Sequence, residues 1–149
     1  MEPERKKVRC AVHLFLIKDG KFLVEKRCNR EWCNGQYDVI AGHIYGKQDV
    51  VTNMIDVAKR EVNINIKKED LEFIQVMDLY SDTEEYICYF FKASKWTGEI
   101  ENMDVEFCER LEWVDMKYPV PNLIEYINIA LKNYVENPDE KMTLLGWDK

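Results

Sequence analysis

The run Val8-Arg-Cys-Ala-Val-His-Leu-Phe-Leu-Ile17 constrains this chain more than any other segment. In an extended conformation Val12, Leu14 and Leu16 share one face, while His13, Phe15 and Ile17 share the other. A strand with apolar residues on both sides needs cover on both sides, which places it inside a layered structure rather than on a solvated sheet. Asp19-Gly20 follows, and Phe22 to Arg27 is again β-rich, so the spacing predicts a hairpin with a tight turn. At 149 residues the chain has the length of one domain and can bury a core without disulfides or structural metal.

The rest of the chain alternates the two periodicities. Residues 28–36 are polar, include Asn34-Gly35 and read as a loop. A short strand is predicted over 37–41, a helix over 51–62, an antiparallel pair over 71–80 and 86–94, and another short strand over 111–114. Residues 122–135 read as an amphipathic helix, with Leu123, Ile127, Ala130 and Tyr134 on its apolar face and Asn137-Pro138 as its stop. This order predicts a mixed α/β (α+β) domain over 1–149, with helices packed on the faces of a mixed sheet and a core spanning about 8–135. The tail, 136–149, is expected to be loosely held. Its apolar anchors in Leu144-Leu-Gly-Trp147 would fold back or reach a second subunit.

A formal net charge of −7 argues against broad electrostatic attraction to nucleic acid or anionic membrane, so neither is an expected partner. The charged opening Met1-Glu-Pro-Glu-Arg-Lys-Lys7 does not read as a signal peptide. Cys10, Cys28, Cys33, Cys88 and Cys108 are scattered without a CxxC pair, as expected of free thiols in a reducing cytoplasm. A zinc site from Cys28, Cys33 and His43 would have poor spacing and lack a fourth ligand.

On a helical wheel Val51, Met54, Ile55, Ala58 and Val62 fall within about 60° of one line and form the expected buried stripe. Val57 lies about 120° from its centre and Glu61 about 80° away on the same side. Two readings of Val57 stand: it packs against a neighbouring loop, or it occupies a position that has lost a polar role. Asp56 and Arg60, an acid before a base at i,i+4, are expected to form a surface ion pair.

The segment from Gly42 to Ile64 resembles the Nudix hydrolase box, G-x5-E-x7-R-E-U-x-E-E-x-G-U, with U a bulky apolar residue. Gly42, Glu61 and Ile64 match it strictly, and Ala58 is a common variant at the first U. The flanking segments Lys26-Arg27, Asn34 to His43, Asp82 to Phe91, Trp96 to Glu99, Asn102, Cys108 and Leu111 to Val114 follow in similar order. The resemblance implies an α/β/α sandwich with a mixed central sheet. It also implies hydrolysis of a nucleoside diphosphate joined to another group, by a water activated at Mg²⁺ or Mn²⁺. Such ions need several oxygen ligands. The three glutamate positions of the box helix here read Val57, Arg60 and Glu61, so one acid in three remains and a cation replaces another. Asp56 stands in place of the box arginine, Gln48 in place of its first glutamate, and Asn63 in place of its second glycine, where a left-handed cap is tolerated.

Two functions follow as expectations. One is an eroded domain that binds a nucleotide or diphosphate-type ligand with weak or no hydrolysis and no metal cofactor. The other is an active Mg²⁺- or Mn²⁺-dependent hydrolase, whose metal is held by Glu61 with Asp104 and Glu106, Glu106 also being the candidate base. By the same resemblance Arg27 would lie near phosphates. Trp32, Tyr37 and Tyr45 would flank the mouth of the site, His43 would sit in its loop, and Arg60 would add a phosphate-binding cation. Relatives are often homodimers.

Overall fold

The computed structural model describes residues 2–148. Its elements in order are β1 (Arg9–Lys18), β2 (Lys21–Arg27), β3 (Tyr37–Asp38), β4 (Ile40–His43), α1 (Val50–Val62), β5 (Glu72–Ser81), β6 (Glu84–Ala93), β7 (Cys108–Asp115), α2 (Glu125–Glu136) and β8 (Met142–Leu145), with a 3-10 turn at Lys68–Asp70 before β5. The sheet path runs β3-β2-β1-β6-β5-β8, with β4 also pairing with β1 and β7 with β2. β1–β6 and β5–β8 are parallel, and β1–β2, β1–β4, β2–β3, β2–β7 and β5–β6 are antiparallel. The sheet is therefore mixed, as expected.

β1 is buried on both faces. Val12, Leu14 and Leu16 pack with α1 residues Met54, Val57, Ala58 and Val62. Phe15 on the opposite face packs with Phe22, Phe90 and the α2 residues Ile127, Ala130 and Leu131. These two cores are the inner layers of an α/β/α sandwich, and the two-sided strand exists because each face has its own helix. The turn after β1 carries positive φ at both Asp19 and Gly20, the geometry of the tight hairpin that Asp-Gly predicts.

α1 starts at Asp49, whose carboxylate accepts a hydrogen bond from the Thr52 amide at 2.9 Å, and ends on left-handed Asn63 at φ 61°. Its buried face differs from the wheel. Val51 and Ile55 are half-buried, whereas Asn53 and Val57 are buried with Met54, Ala58 and Val62. The reason is Gly42. A Cβ there would lie 2.8 Å from Val57 Cγ2, so the missing side chain lets α1 roll its Val57 edge against β4. The helix's own periodicity carries no record of that neighbour.

The tail is also more structured than expected. Thr143 Oγ1 accepts from Asn133 Nδ2 at 2.7 Å and donates to Gln75 Oε1 at 2.9 Å, while Leu145 packs into the α2 core. These interactions hold β8 against β5. Among the described residues no helix is long and apolar enough to cross a membrane.

Candidate functional site

The end of α1 faces β2, and parity explains what they share. Leu23 of β2 lies in the α1 core, so Glu25, two residues on, points to the same side. Glu25 is 9% exposed, its Oε1 lacks a hydrogen-bond partner among the described residues, and its carboxyl lies beside that of Glu61. Two acids this close resist ionising together. Burial is the main cause that pushes Glu61 up to about 7, with Asp38 adding to the rise while Glu25, the Ala41 backbone and Arg60 oppose it. Glu25 is raised well above the usual carboxylate range, first by burial and then by the nearby charges of Glu61 and Asp38. Asp38 is buried and also raised by that burial, although Arg27 Nη1 lies 2.9 Å from its Oδ2.

The remaining acids are engaged elsewhere. Asp104 Oδ2 is 3.0 Å from Arg30 Nη2. The Glu106 side chain is exposed, and its backbone carbonyl accepts from Asn29 Nδ2 at 2.7 Å. Cys28 N donates to Phe107 O at 3.0 Å, so the loop after β2 is zipped to the loop before β7. Glu61, Asp104 and Glu106 thus do not form the three-carboxylate group expected of them. Among the described residues no group of three or more His, Cys, Asp or Glu side chains is spaced to hold a metal ion, Cys28, Cys33 and His43 included. The donor set does not fit a hard divalent cation. Glu25 and Glu61 meet at the α1 end without a third ligand at metal spacing among the described residues, and the next box position is an aliphatic side chain packed into the core.

The expected Asp56–Arg60 ion pair is absent among the described residues. Asp56 instead accepts from Gln48 Nε2 at 2.6 Å, and Gln48 Oε1 accepts from Asn53 Nδ2 at 2.7 Å. An amide relay from loop to helix takes the place of a charge pair. It leaves Arg60 exposed, with Nη2 3.4 Å from where a Gly42 Cβ would sit.

The ligand-binding candidates fall into two groups. Arg27 is not a solvated strand end: besides Asp38, its Nε donates to Trp32 O at 3.1 Å and its guanidinium lies 5.1 Å from the Trp32 ring centroid. Trp32 is 48% exposed and stacks at 6.3 Å on Tyr126, whose hydroxyl is 2.7 Å from His13 Nε2. Burial pushes His13 down to about 3, so it is neutral there. Tyr37 Oη accepts from Arg110 Nη2 at 3.1 Å. His43 and Tyr45, with ring centroids 6.2 Å apart, line a separate cleft of about 560 Å³ with Arg9, Gln48 and Tyr89.

Glu25 and Asp38 were missed in the sequence because they lie outside the box. The available signal was Glu25's parity with Leu23, an acid on the apolar side of a strand.

No family model matches the chain, and no curated protein sequence does. Solved structures do. A MutT NUDIX hydrolase from Burkholderia pseudomallei superposes with a TM-score of 0.75 at 21% identity, covering 85% of this chain and 98% of that one. A MutT protein from Methanosarcina mazei Go1 gives 0.76 at 12% identity, covering 93% and 100%. A bifunctional NMN adenylyltransferase/ADP ribose pyrophosphatase from Francisella tularensis, complexed with AMP and a Mn ion, gives 0.68 at 17% identity over 90% of this chain and 43% of that one. Taken with the two-core sandwich and the Gly42-led helix, these likenesses show that the chain has the Nudix hydrolase fold.

Proposed function

We propose that this Nudix-fold domain binds a nucleotide or other diphosphate-type ligand with little or no metal-dependent hydrolysis. The observation that carries this reading is the end of α1. Val57 is sealed into the core, Arg60 is a cation, and the one remaining box carboxyl, Glu61, is pushed by burial toward its neutral form. A cation-assisted diphosphate cleavage needs those carboxylates to neutralise charge and acidify water. A ligand needs less. Arg60 is an exposed cation beside β4, and Trp32, His43 and Tyr45 offer flat surfaces for a base. The AMP complex of the Francisella neighbour supports the nucleotide class. Five free thiols fit a reducing compartment, and we place the protein in the cytoplasm.

The test is a panel of nucleoside di- and triphosphates and diphosphate-linked sugars, assayed for turnover with Mg²⁺ or Mn²⁺ and for binding by titration calorimetry in a chelator. Binding that survives the chelator and weakens in Arg60→Ala is expected, with turnover no higher than in Glu61→Gln. Turnover well above the Glu61→Gln control would establish the hydrolase reading instead.

A further inference from the structure

The loop after β2 carries an indole that is already stacked. The loop is closed at its base by two backbone bonds: Arg27 N donates to Gln36 O at 2.9 Å, and Gly35 N donates to Arg27 O at 2.7 Å. Arg30 N donates to Asn34 Oδ1 at 2.9 Å across its interior. Asn122 Nδ2 donates to Gly35 O at 2.7 Å on one flank, and Arg30 reaches Asp104 on the other. A compact loop pinned in this way does not swing as a body. The Trp32 side chain is free to turn, because it is 48% exposed and rotates about its own bonds.

The surface beneath Trp32 is not ordinary core. Its ring lies 6.3 Å from that of Tyr126 and 30° from parallel, and the Arg27 guanidinium is 5.1 Å from its centroid. Tyr126 Oη is 2.7 Å from Nε2 of His13, which is 1% exposed and whose Nδ1 has no hydrogen-bond partner among the described residues. Asp38, 7% exposed, holds Arg27. An aromatic ring that only closes a core is best served by an apolar floor, since buried polar groups are costly and are kept where something pairs with them. A phenol, an imidazole and an ion pair under one half-open ring make the floor of a slot for a flat polar ring. In the free protein Trp32 lies on that floor.

We propose that Trp32 is a gate: its indole occupies the place that the base of a purine nucleotide takes, and binding turns it outward. Ring size names the base. Indole and purine are both fused six- and five-membered rings, so one replaces the other over Tyr126 without leaving a void, whereas a pyrimidine leaves part of the phenol uncovered. A purine also brings ring nitrogens that accept hydrogen bonds, which the indole lacks. The proposal rests on the nucleotide reading above and changes the part of Trp32 within it, from a platform to a competitor. A site that is open for only a fraction of the time binds with its affinity lowered by that fraction.

The test is calorimetric titration of the full chain with ADP in a chelator, comparing the wild type with Trp32→Ala. The variant should bind about tenfold tighter, because nothing competes for the slot. CDP should gain less. Acrylamide quenching gives a second readout, with Trp32→Phe used to subtract the other three tryptophans. Trp32 should become more accessible to acrylamide when ADP binds. ADP affinity in Trp32→Ala equal to or below that of the wild type, or a Trp32 less accessible in the complex, would overturn the gate and leave the nucleotide reading standing. An equal gain for CDP would overturn the choice of a purine. ADP and CDP bound by neither protein would overturn the nucleotide reading and the gate with it.

Discussion

Two ends of this molecule use the same pair of devices, a glycine at a close approach and two carboxyls side by side, with opposite results. At the α1 end Gly42 meets a side chain, Val57, and buried Glu25 lies beside half-buried Glu61. At the β8 end Gly146 meets a backbone carbonyl, and Asp78 lies beside Glu85, which is as buried as Glu25 but has Lys6 Nζ 3.0 Å from its Oε1. Both acids of the α1 pair are shifted upward. The pair at the β8 end splits: burial and then Glu85 raise Asp78, while Asp78 and then Lys6 lower Glu85. Proximity of two acids does not decide their behaviour; a cation paired with one of them does.

The largest effect should come from Gly146→Ala. The Cβ meets backbone that cannot yield, and φ is +88°, where any side chain is strained. β8 should leave the sheet, read as loss of hydrogen-exchange protection over Met142–Leu145 and a shift in Trp147 fluorescence. Retained protection would mean that the approach is looser than described.

Next comes pH. Glu61's folded pKa of about 7 exceeds the usual carboxylate value, so the stability that its protonated form contributes is fully present below pH 4.5. It declines as pH rises toward 7, by about 3 kcal/mol in all. Glu25 shifts in the same direction. Urea denaturation at several pH values should show this slope, and Glu61→Gln should flatten it and be the more stable protein at about pH 8. A variant with the wild-type slope would show that Glu61 is not the group titrating there.

Gly42→Ala should cost about 1–3 kcal/mol, since Val57 can give where a backbone cannot. Adding Val57→Ala should recover part of that loss. The smallest change should follow Lys6→Ala, since the ammonium itself is exposed, and it should appear as an upward shift in the titration of buried Glu85.

Much of this architecture could be read in advance from periodicity and turn chemistry. The two-sided β1, the Asp19-Gly20 turn and the Asn63 cap follow from local rules that need no partner. The α1 face did not, because its rotation depends on Gly42, and Gly42 acts by lacking atoms. The site was legible only as a deficit. Val57, Arg60 and Glu61 announce that acids are missing, but Glu61's partner comes from β2, thirty-six positions upstream by residue number. The role of Asp104 was hidden in the same way, because Arg30 reaches it only once two loops are zipped together.

Alternation, helical repeat and capping residues made this chain a layered α/β sheet with a box helix short of carboxylates, because those properties reside in neighbours along the backbone. Packing alone settled that Val57 is core, that Glu25 lies beside Glu61, and that the tail joins the sheet as β8. Each depends on the desolvation and close contact of groups far apart in the chain, and those quantities exist only after the layers have met.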